Sequence, residues 1–224
     1  MFDLSDFAKM TNSDSEDENE NNKNENKEIE QVFEEKTLEI YDKTIKIREF
    51  HFSTTNAGYI WPSTYTIIDY ILAHKEKFEN KKIIELGSAT GILSIFLNAK
   101  GFDVTSSDYN NPEISENIEY NKSLNNINFR HIPHTWGDTF EENDKNFDIV
   151  IASDILLYVM YFEKLMLTLR QLMDNKENSF MLMAYGRKLY DSKKFFVLLE
   201  ENDFEYELVG SKMWIIKKKK IINK

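Results

Sequence analysis

Two short stretches near the start of the patterned region alternate polar and apolar positions: Thr37-Leu38-Glu39-Ile40-Tyr41 and Thr44-Ile45-Lys46-Ile47-Arg48. A period of two predicts a β-hairpin, with Asp42-Lys43 between its strands. The period then changes. After Pro62, whose missing N–H suits a first helical turn, Tyr65, Ile68, Ile71 and Leu72 recur at helical spacing. Lys82 to Leu86 is an apolar run of strand length, and Ile92, Ile95 and Phe96 again fit one helical face. Asp103 to Asp108 reads as a second β-prone run. Pro112 to Asn125 predicts a helix with Ile114, Ile118 and the Asn121–Leu124 region facing inward, capped by Asn110 or Asn111.

The alternation continues to the end of the chain. Phe129 to Pro133 predicts a third strand, and Phe147 to Asp154 a fourth, whose continuous apolar centre suits burial on both faces. Phe162, Leu165, Met166 and Leu169 form a helical stripe. Phe180 to Tyr185 is a fifth strand, and Ser192 precedes a helix that turns Phe195, Phe196, Leu198 and Leu199 inward. Phe204–Val209 and Met213–Ile216 close the chain as two strands around Gly210-Ser211. Strands alternating with helices predict an α/β fold: a doubly wound, seven-stranded, mostly parallel sheet with an antiparallel C-terminal hairpin, preceded by the N-terminal β-hairpin.

The first residues break this pattern. Thr11 to Lys27 is almost purely Asn, Ser, Asp, Glu and Lys, and such a segment buries too little apolar surface to offset the entropy of ordering. Residues 1–31 are therefore expected to be an acidic, Asn/Glu-rich disordered tail, with a short helical turn possible at Met1–Lys9, and residues 32–224 a folded domain. The tail reads as a solvated low-complexity segment, with an acidic lure for a basic substrate or phosphorylation at Ser13 or Ser15 as the functional alternative. The 224 residues carry 39 acids against 28 basic residues, a net charge of −11. That balance disfavours a nucleic-acid backbone as partner and favours a basic one. No cysteine is present, which removes disulfides, thiolate zinc sites and a cysteine nucleophile. No apolar run approaches a membrane span, and the start lacks a basic, apolar leader. The cytoplasm is the expected compartment, with the nucleus as alternative, and a monomer is expected. The basic run Lys217–Lys220 reads as a solvated terminus.

Candidate chemistry gathers between Lys82 and Asp108. The first strand breaks into Gly87-Ser88-Ala89-Thr90-Gly91, and a helix follows. Gly87 and Gly91 let the backbone turn sharply and approach a ligand closely. Free amides at the helix start offer donors to polar ligand groups. Asp108 ends the next strand, 23 residues after Glu85, where dinucleotide folds place an acid that accepts from ribose hydroxyls. The glycine pattern is Gly-x-x-x-Gly rather than G-x-G-x-x-G, and the carboxylate of Glu85 suits a cationic ligand better than a pyrophosphate.

Glu85-Leu86-Gly87-Ser88-Ala89-Thr90-Gly91 resembles motif I of the class I (seven-β-strand, Rossmann-like) S-adenosylmethionine-dependent methyltransferases. Trp61-Pro62-Ser63-Thr64, Ser107-Asp108-Tyr109, Trp136-Gly137-Asp138 and Ala152-Ser153-Asp154 follow the order and spacing of methyltransferase family 16, which contains many protein-lysine methyltransferases. The resemblance covers roughly residues 36 to 217. It implies S-adenosyl-L-methionine as cofactor and a protein lysine side chain as substrate. It implies that Glu85 and the backbone of Gly87, Ser88 and Gly91 hold the amino-acid end of the cofactor and Asp108 its ribose. Trp136 and Asp138 would flank the adenine, with Trp61 and Ala152 also beside the cofactor. An indole face can stack on a flat base and a carboxylate can accept from an exocyclic amine.

Asp154 would position the incoming amine. In the family an acid is followed three residues later by Tyr or Phe, whereas here Leu157 holds that place and Tyr158 comes one later. Either Tyr158 takes the aromatic role through a shifted turn, or the aromatic is dispensable. Two other functions stay open: methylation of a small molecule or nucleic acid, and a non-catalytic cofactor-binding module. His51, His74, His131 and His134 show no metal-ligand spacing, and no G-x-S-x-G elbow supports a serine hydrolase.

Overall fold

The computed structural model describes residues 32–51, 56–174, 176–186 and 191–220. The acidic segment, with its expected disorder, lies outside them. Chain order begins with strands β1 (Val32–Ile40) and β2 (Lys43–His51), paired antiparallel with Ile40 opposite Lys43. The hairpin is longer than the alternation predicts, and its turn falls at Tyr41-Asp42. Tyr41 takes a φ of 54° there, which closes the turn one residue early.

Helix α1 (Ser63–Ala73) follows, then β3 (Lys82–Leu86), α2 (Ile92–Ala99), β4 (Asp103–Asp108), α3 (Pro112–Leu124) and β5 (His131–Pro133). The second half comprises β6 (Ile149–Ser153), α4 (Phe162–Met173), β7 (Phe180–Ala184), α5 (Ser192–Glu201), β8 (Phe204–Gly210) and β9 (Met213–Lys218). The seven-stranded sheet runs β5-β4-β3-β6-β7-β9-β8. The pairs from β5 through β7 are parallel; β9 is antiparallel to both β7 and β8. No helix among the described residues is long and apolar enough to cross a membrane.

Side-chain alternation divides the core into two layers. Ile83, Val104, Ile149, Ile151 and Leu182 face α1, α2 and the hairpin, while Ile84, Leu86, Val150, Met181 and Met183 face α4 and α5. Helix α2 is buried on nearly every side, from Ile92 through Leu97. On α1 the buried residues include Ile67, Ile68, Tyr70 and Ile71, but Tyr65, expected inside, is 39% exposed.

The hairpin is fastened to α3 by side chains. Asn117, Asn121 and Asn125 stand four residues apart, so they share one helix face. The Asn125 side chain accepts from the Lys46 N–H at 2.9 Å and donates to the Lys46 carbonyl at 2.6 Å. Asn121 accepts from the Arg48 N–H at 2.7 Å and donates to the Arg48 carbonyl at 3.2 Å. Asn117 accepts from Arg48 Nε at 2.8 Å and also donates to that carbonyl, at 3.1 Å. Each amide offers both a donor and an acceptor, so the ladder imitates a neighbouring strand along the edge of β2. Asn121 is fully buried and also donates to the Thr90 carbonyl at 2.9 Å. Truncation by Asn121→Ala leaves those backbone groups without this partner. The expected loss of stability is about 2–4 kcal/mol, read from chemical denaturation.

Candidate functional site

The strand order reverses between β3 and β6, and open α/β sheets bind ligands outside the carboxyl ends of the strands at such a point. The loop after β3 lies there. Gly87, Ala89 and Gly91 have φ values of 69°, 51° and 78°, all in the left-handed region where glycine carries no steric penalty. A Cβ on Gly87 would sit 2.7 Å from Ile155 Cγ2, in the segment after β6, and 3.9 Å from Trp136 Cζ2. Ile155 is itself buried and has little room to yield. Gly87→Ala is therefore expected to cost about 1–3 kcal/mol of stability and to weaken ligand binding at the loop. Thermal unfolding with and without ligand measures both.

Gly91 is the N-cap of α2 and has no side chain with which to cap it. Glu85 supplies the missing acceptor from the preceding strand. Its Oε2 accepts from the Ser94 N–H at 3.1 Å and from Ser94 Oγ at 2.5 Å. The side chain is almost completely buried, and burial pushes its carboxyl up to about 8, with nearby Asp108 adding to the rise. Asp108 closes the loop from the other side. One oxygen accepts from the Ala89 N–H at 2.6 Å and the other from the Tyr109 N–H at 2.7 Å. Burial also raises the carboxyl of Asp108 above its ordinary range, although part of its surface stays open. Each carboxylate oxygen has a second lone pair available to a ligand.

The other expected residues distribute around this loop. Trp61 packs against Ala57, Ala89, Ile114 and Ile118, bringing its ring to the loop. Trp136 is half-buried and borders Gly87. Asp138 is exposed two residues beyond it, where the turn is pinned by Gly137 N–H donating to Thr168 Oγ1 at 3.0 Å. Ala152 is buried in the layer facing α4, so its side chain brings no polar group to the rim.

Asp154 follows directly on β6, one residue before the Ile155 that abuts Gly87. It has a φ of 53° and is 3% exposed. Its Oδ2 accepts from the Ser63 N–H at 2.8 Å, and its Oδ1 from the Gly186 N–H at 2.7 Å. One carboxylate thus ties the start of α1 and the end of β7 to the end of β6. Tyr158 lies in the irregular segment before α4, 38% exposed, and its hydroxyl accepts from Asn56 Nδ2 at 2.6 Å.

The loop has the properties of a site for a polar ligand. Among the described residues, the buried hydroxyls Ser88 Oγ and Thr90 Oγ1 have no hydrogen-bond partner, and buried polar atoms ordinarily have one. The glycine conformations keep the backbone accessible, and Asp108 retains acceptor capacity.

Residues 40–202 match the model of a family described as lysine methyltransferase. This chain belongs to that family. Among its curated relatives, the mouse protein-lysine methyltransferase METTL21E is 28% identical over 165 residues, covering 69% of this chain and 66% of the relative. The mouse EEF1A lysine methyltransferase 3 is 30% identical over 155 residues, covering 68% of this chain and 66% of the relative. The match spans 66% of mouse METTL21E, 54% of its cattle counterpart and 66% of mouse EEF1A lysine methyltransferase 3. Among solved structures, the Thermus thermophilus 16S rRNA N2 G1207 methyltransferase superposes with a TM-score of 0.61 at 12% identity, over 84% of this chain and 51% of that one. The fold is that of the class I methyltransferases.

Three features of this lysine methyltransferase family member escape a reading of hydrophobic pattern and motifs. The asparagine ladder of α3 was visible only as four-residue spacing of Asn117, Asn121 and Asn125. Glu49 is 5% exposed, accepts from the Ile60 N–H at 2.8 Å and pairs with Lys36, so the hairpin also holds the Trp61 segment. Asn56 joins Trp61 to Tyr158, a contact 102 residues apart in the chain that no local signal announces.

Proposed function

We propose that this protein transfers a methyl group from S-adenosyl-L-methionine to a lysine side chain of a protein substrate. The observation that carries the reading is the loop between Glu85 and Asp108. Unpartnered Ser88 and Thr90 hydroxyls, glycine-permitted backbone and two buried acids meet there at the reversal point of the sheet, between Trp61 and Trp136. When bound, the cofactor would supply an electrophilic sulfonium methyl group to a neutral amine, the new N–C bond forming in line as the S–C bond breaks and the neutral thioether leaves.

In this proposal Gly87, Ser88 and Gly91 face the amino-acid end of the cofactor, with the charge of Glu85 behind them. Asp108 receives ribose hydroxyls, while Trp136 and Asp138 border the base. Trp61 closes the other side of the loop, and Ala152 contributes only the packed floor beside it. Asp154 and Tyr158 belong to the substrate side. A lysine ammonium has a reference pKa of about 10.4 and must lose its proton before attack. A carboxylate favours the charged form, so Asp154 orients the substrate wall and does not act as a strong base. Alignment and exclusion of water account for the protein's share of the rate.

The acidic composition fits a basic protein segment as substrate, and a cytoplasmic monomer is the proposed working form. The test is titration calorimetry with S-adenosylmethionine, followed by radiolabelled cofactor with a cell lysate and with purified EEF1A, the substrate named for one relative. Binding with labelled protein bands is the expected result. Binding without any labelled protein would move the assignment to small-molecule substrates or a non-catalytic module, and no binding would remove the cofactor site itself.

A further inference from the structure

The segment Asn56–Gly58 forms a single 3₁₀ turn just ahead of Trp61, and the proposed reaction gives it no role. Asn56 nevertheless makes two contacts that point in different directions. Its backbone carbonyl accepts from Trp61 Nε1–H at 3.0 Å. Its side-chain amide donates to the hydroxyl of Tyr158 at 2.6 Å. Trp61 packs against the small buried cluster to which Ala89 of the glycine loop belongs. Tyr158 meets Tyr161 edge-on, with ring centroids 6.1 Å apart and planes at 90°. One residue therefore touches the tryptophan beside the loop and the phenol beyond Asp154.

The backbone after β6 sets the direction in which Tyr158 points. Asp154 turns the chain with its positive φ, and the segment then runs irregularly to Tyr158, which is extended at φ −131° and ψ 117°. In extended backbone, neighbouring side chains point to opposite sides. Leu157 is half-buried while Tyr158 is exposed, consistent with the two residues dividing inward and outward positions. The Asn56 amide gives the Tyr158 hydroxyl a partner from far outside this segment. An amide–phenol bond between exposed partners adds only about 0.5–1.5 kcal/mol to stability, so the contact matters more for orientation than for folding.

We infer that Asn56 is a positioning residue that holds Tyr158 over the substrate side of the site, making up for the one-residue displacement of the tyrosine past Leu157. This rests on the methyl-transfer reading for its kinetic consequence, but the contact itself does not. Asn56→Ala removes the side-chain donor while leaving the carbonyl that binds Trp61, so the two arms of Asn56 separate cleanly. Tyr158→Phe removes the acceptor.

The test is a double-mutant cycle of Asn56→Ala and Tyr158→Phe, with kcat and KM for the methylated substrate, cofactor Kd by calorimetry, and fluorine NMR of cofactor-free protein carrying fluorotyrosine. The Tyr158 resonance is assigned by its loss in Tyr158→Phe. Each single substitution is expected to lower kcat by about tenfold, with the double variant no worse than the worse single one. Cofactor Kd is expected to stay within about twofold, and Asn56→Ala should shift the Tyr158 resonance in the cofactor-free protein. Additive losses in kcat, or a Tyr158 resonance indifferent to Asn56→Ala, would overturn the inference. A wild-type protein that binds the cofactor yet methylates nothing overturns the proposed activity instead, and the fluorine comparison then decides the Asn56–Tyr158 contact alone.

Discussion

Asp154→Asn is expected to lower turnover by about a hundredfold or more while changing cofactor affinity by less than about fivefold. The carboxylate accepts from Ser63 N–H through one oxygen and from Gly186 N–H through the other. An asparagine amide has a single oxygen, so one of the two backbone donors must face an NH₂ group. Hydrogen bonds to a charged acceptor contribute about 1.5–3 kcal/mol each, and the site is nearly sealed from water, so no solvent substitutes easily. The starts of α1 and of the segment after β7 then separate from the end of β6, and the substrate wall loses its shape. The glycine loop, fastened by Glu85 and Asp108 instead, keeps its own contacts. Steady-state kinetics, calorimetry and a melting curve of the same variant separate these effects. Equal losses in turnover and cofactor affinity would sink the positioning role of Asp154.

Glu85→Gln is expected to remove the Glu85 share of a pH dependence that the wild-type protein shows twice, in folding and in cofactor binding. The folded carboxyl titrates at about 8 against an ordinary 4.5. Between those values the folded state binds more protons than the unfolded chain. Stability is therefore fully present below the unfolded value and declines as pH rises through the folded one, by on the order of a few kcal/mol. Glutamine cannot ionise and flattens this decline. In binding the sign reverses. A cationic amino-acid end favours the ionised carboxylate, so wild-type affinity is expected to rise from pH 6 to about 7.5, below the α-amino range. One proton is then released per ligand bound near neutrality, measured by calorimetry in buffers of different ionisation enthalpy. Glu85→Gln should bind about tenfold more weakly at the upper end with no proton release. A wild-type affinity that is flat over this range would place the compensating charge elsewhere.

The parallel strands were legible because burial on both faces leaves a continuous apolar signature, as in Ile149–Ser153, which is buried throughout. Their ends were less so. The third strand was expected from Phe129, yet pairing begins at His131; Phe129 is buried in the core ahead of the strand, with the Lys122 ammonium 5.1 Å from its ring. Tyr65 misled because apolar spacing alone does not show that a helix face borders an open rim. The glycine loop and its acids were readable from sequence because each has a local backbone reason: a left-handed φ, a helix start, a strand end. Asn56, Glu49 and the α3 asparagines act through partners distant in the chain. Polar side chains read as surface until the fold shows which backbone groups they satisfy.

The asparagine ladder also joins parts of the chain that are made at different times. Strand β2 leaves the ribosome long before the helix that fastens it, since the contacts at Lys46 and Arg48 lie 79 and 73 residues from Asn125 and Asn121. At ordinary elongation rates of about 5–20 residues per second, that gap lasts about 4–15 s. A two-stranded hairpin alone is marginal in water, so Ile45 and Ile47 wait for α1 and α2, with which they share a core cluster, and the backbone of Lys46 and Arg48 waits for α3. When α3 emerges, Asn121 reaches the Arg48 backbone and the Thr90 carbonyl through the same side chain. One buried amide thus joins the hairpin to the glycine loop, so a nascent chain halted before residue 121 lacks the side chain that links them.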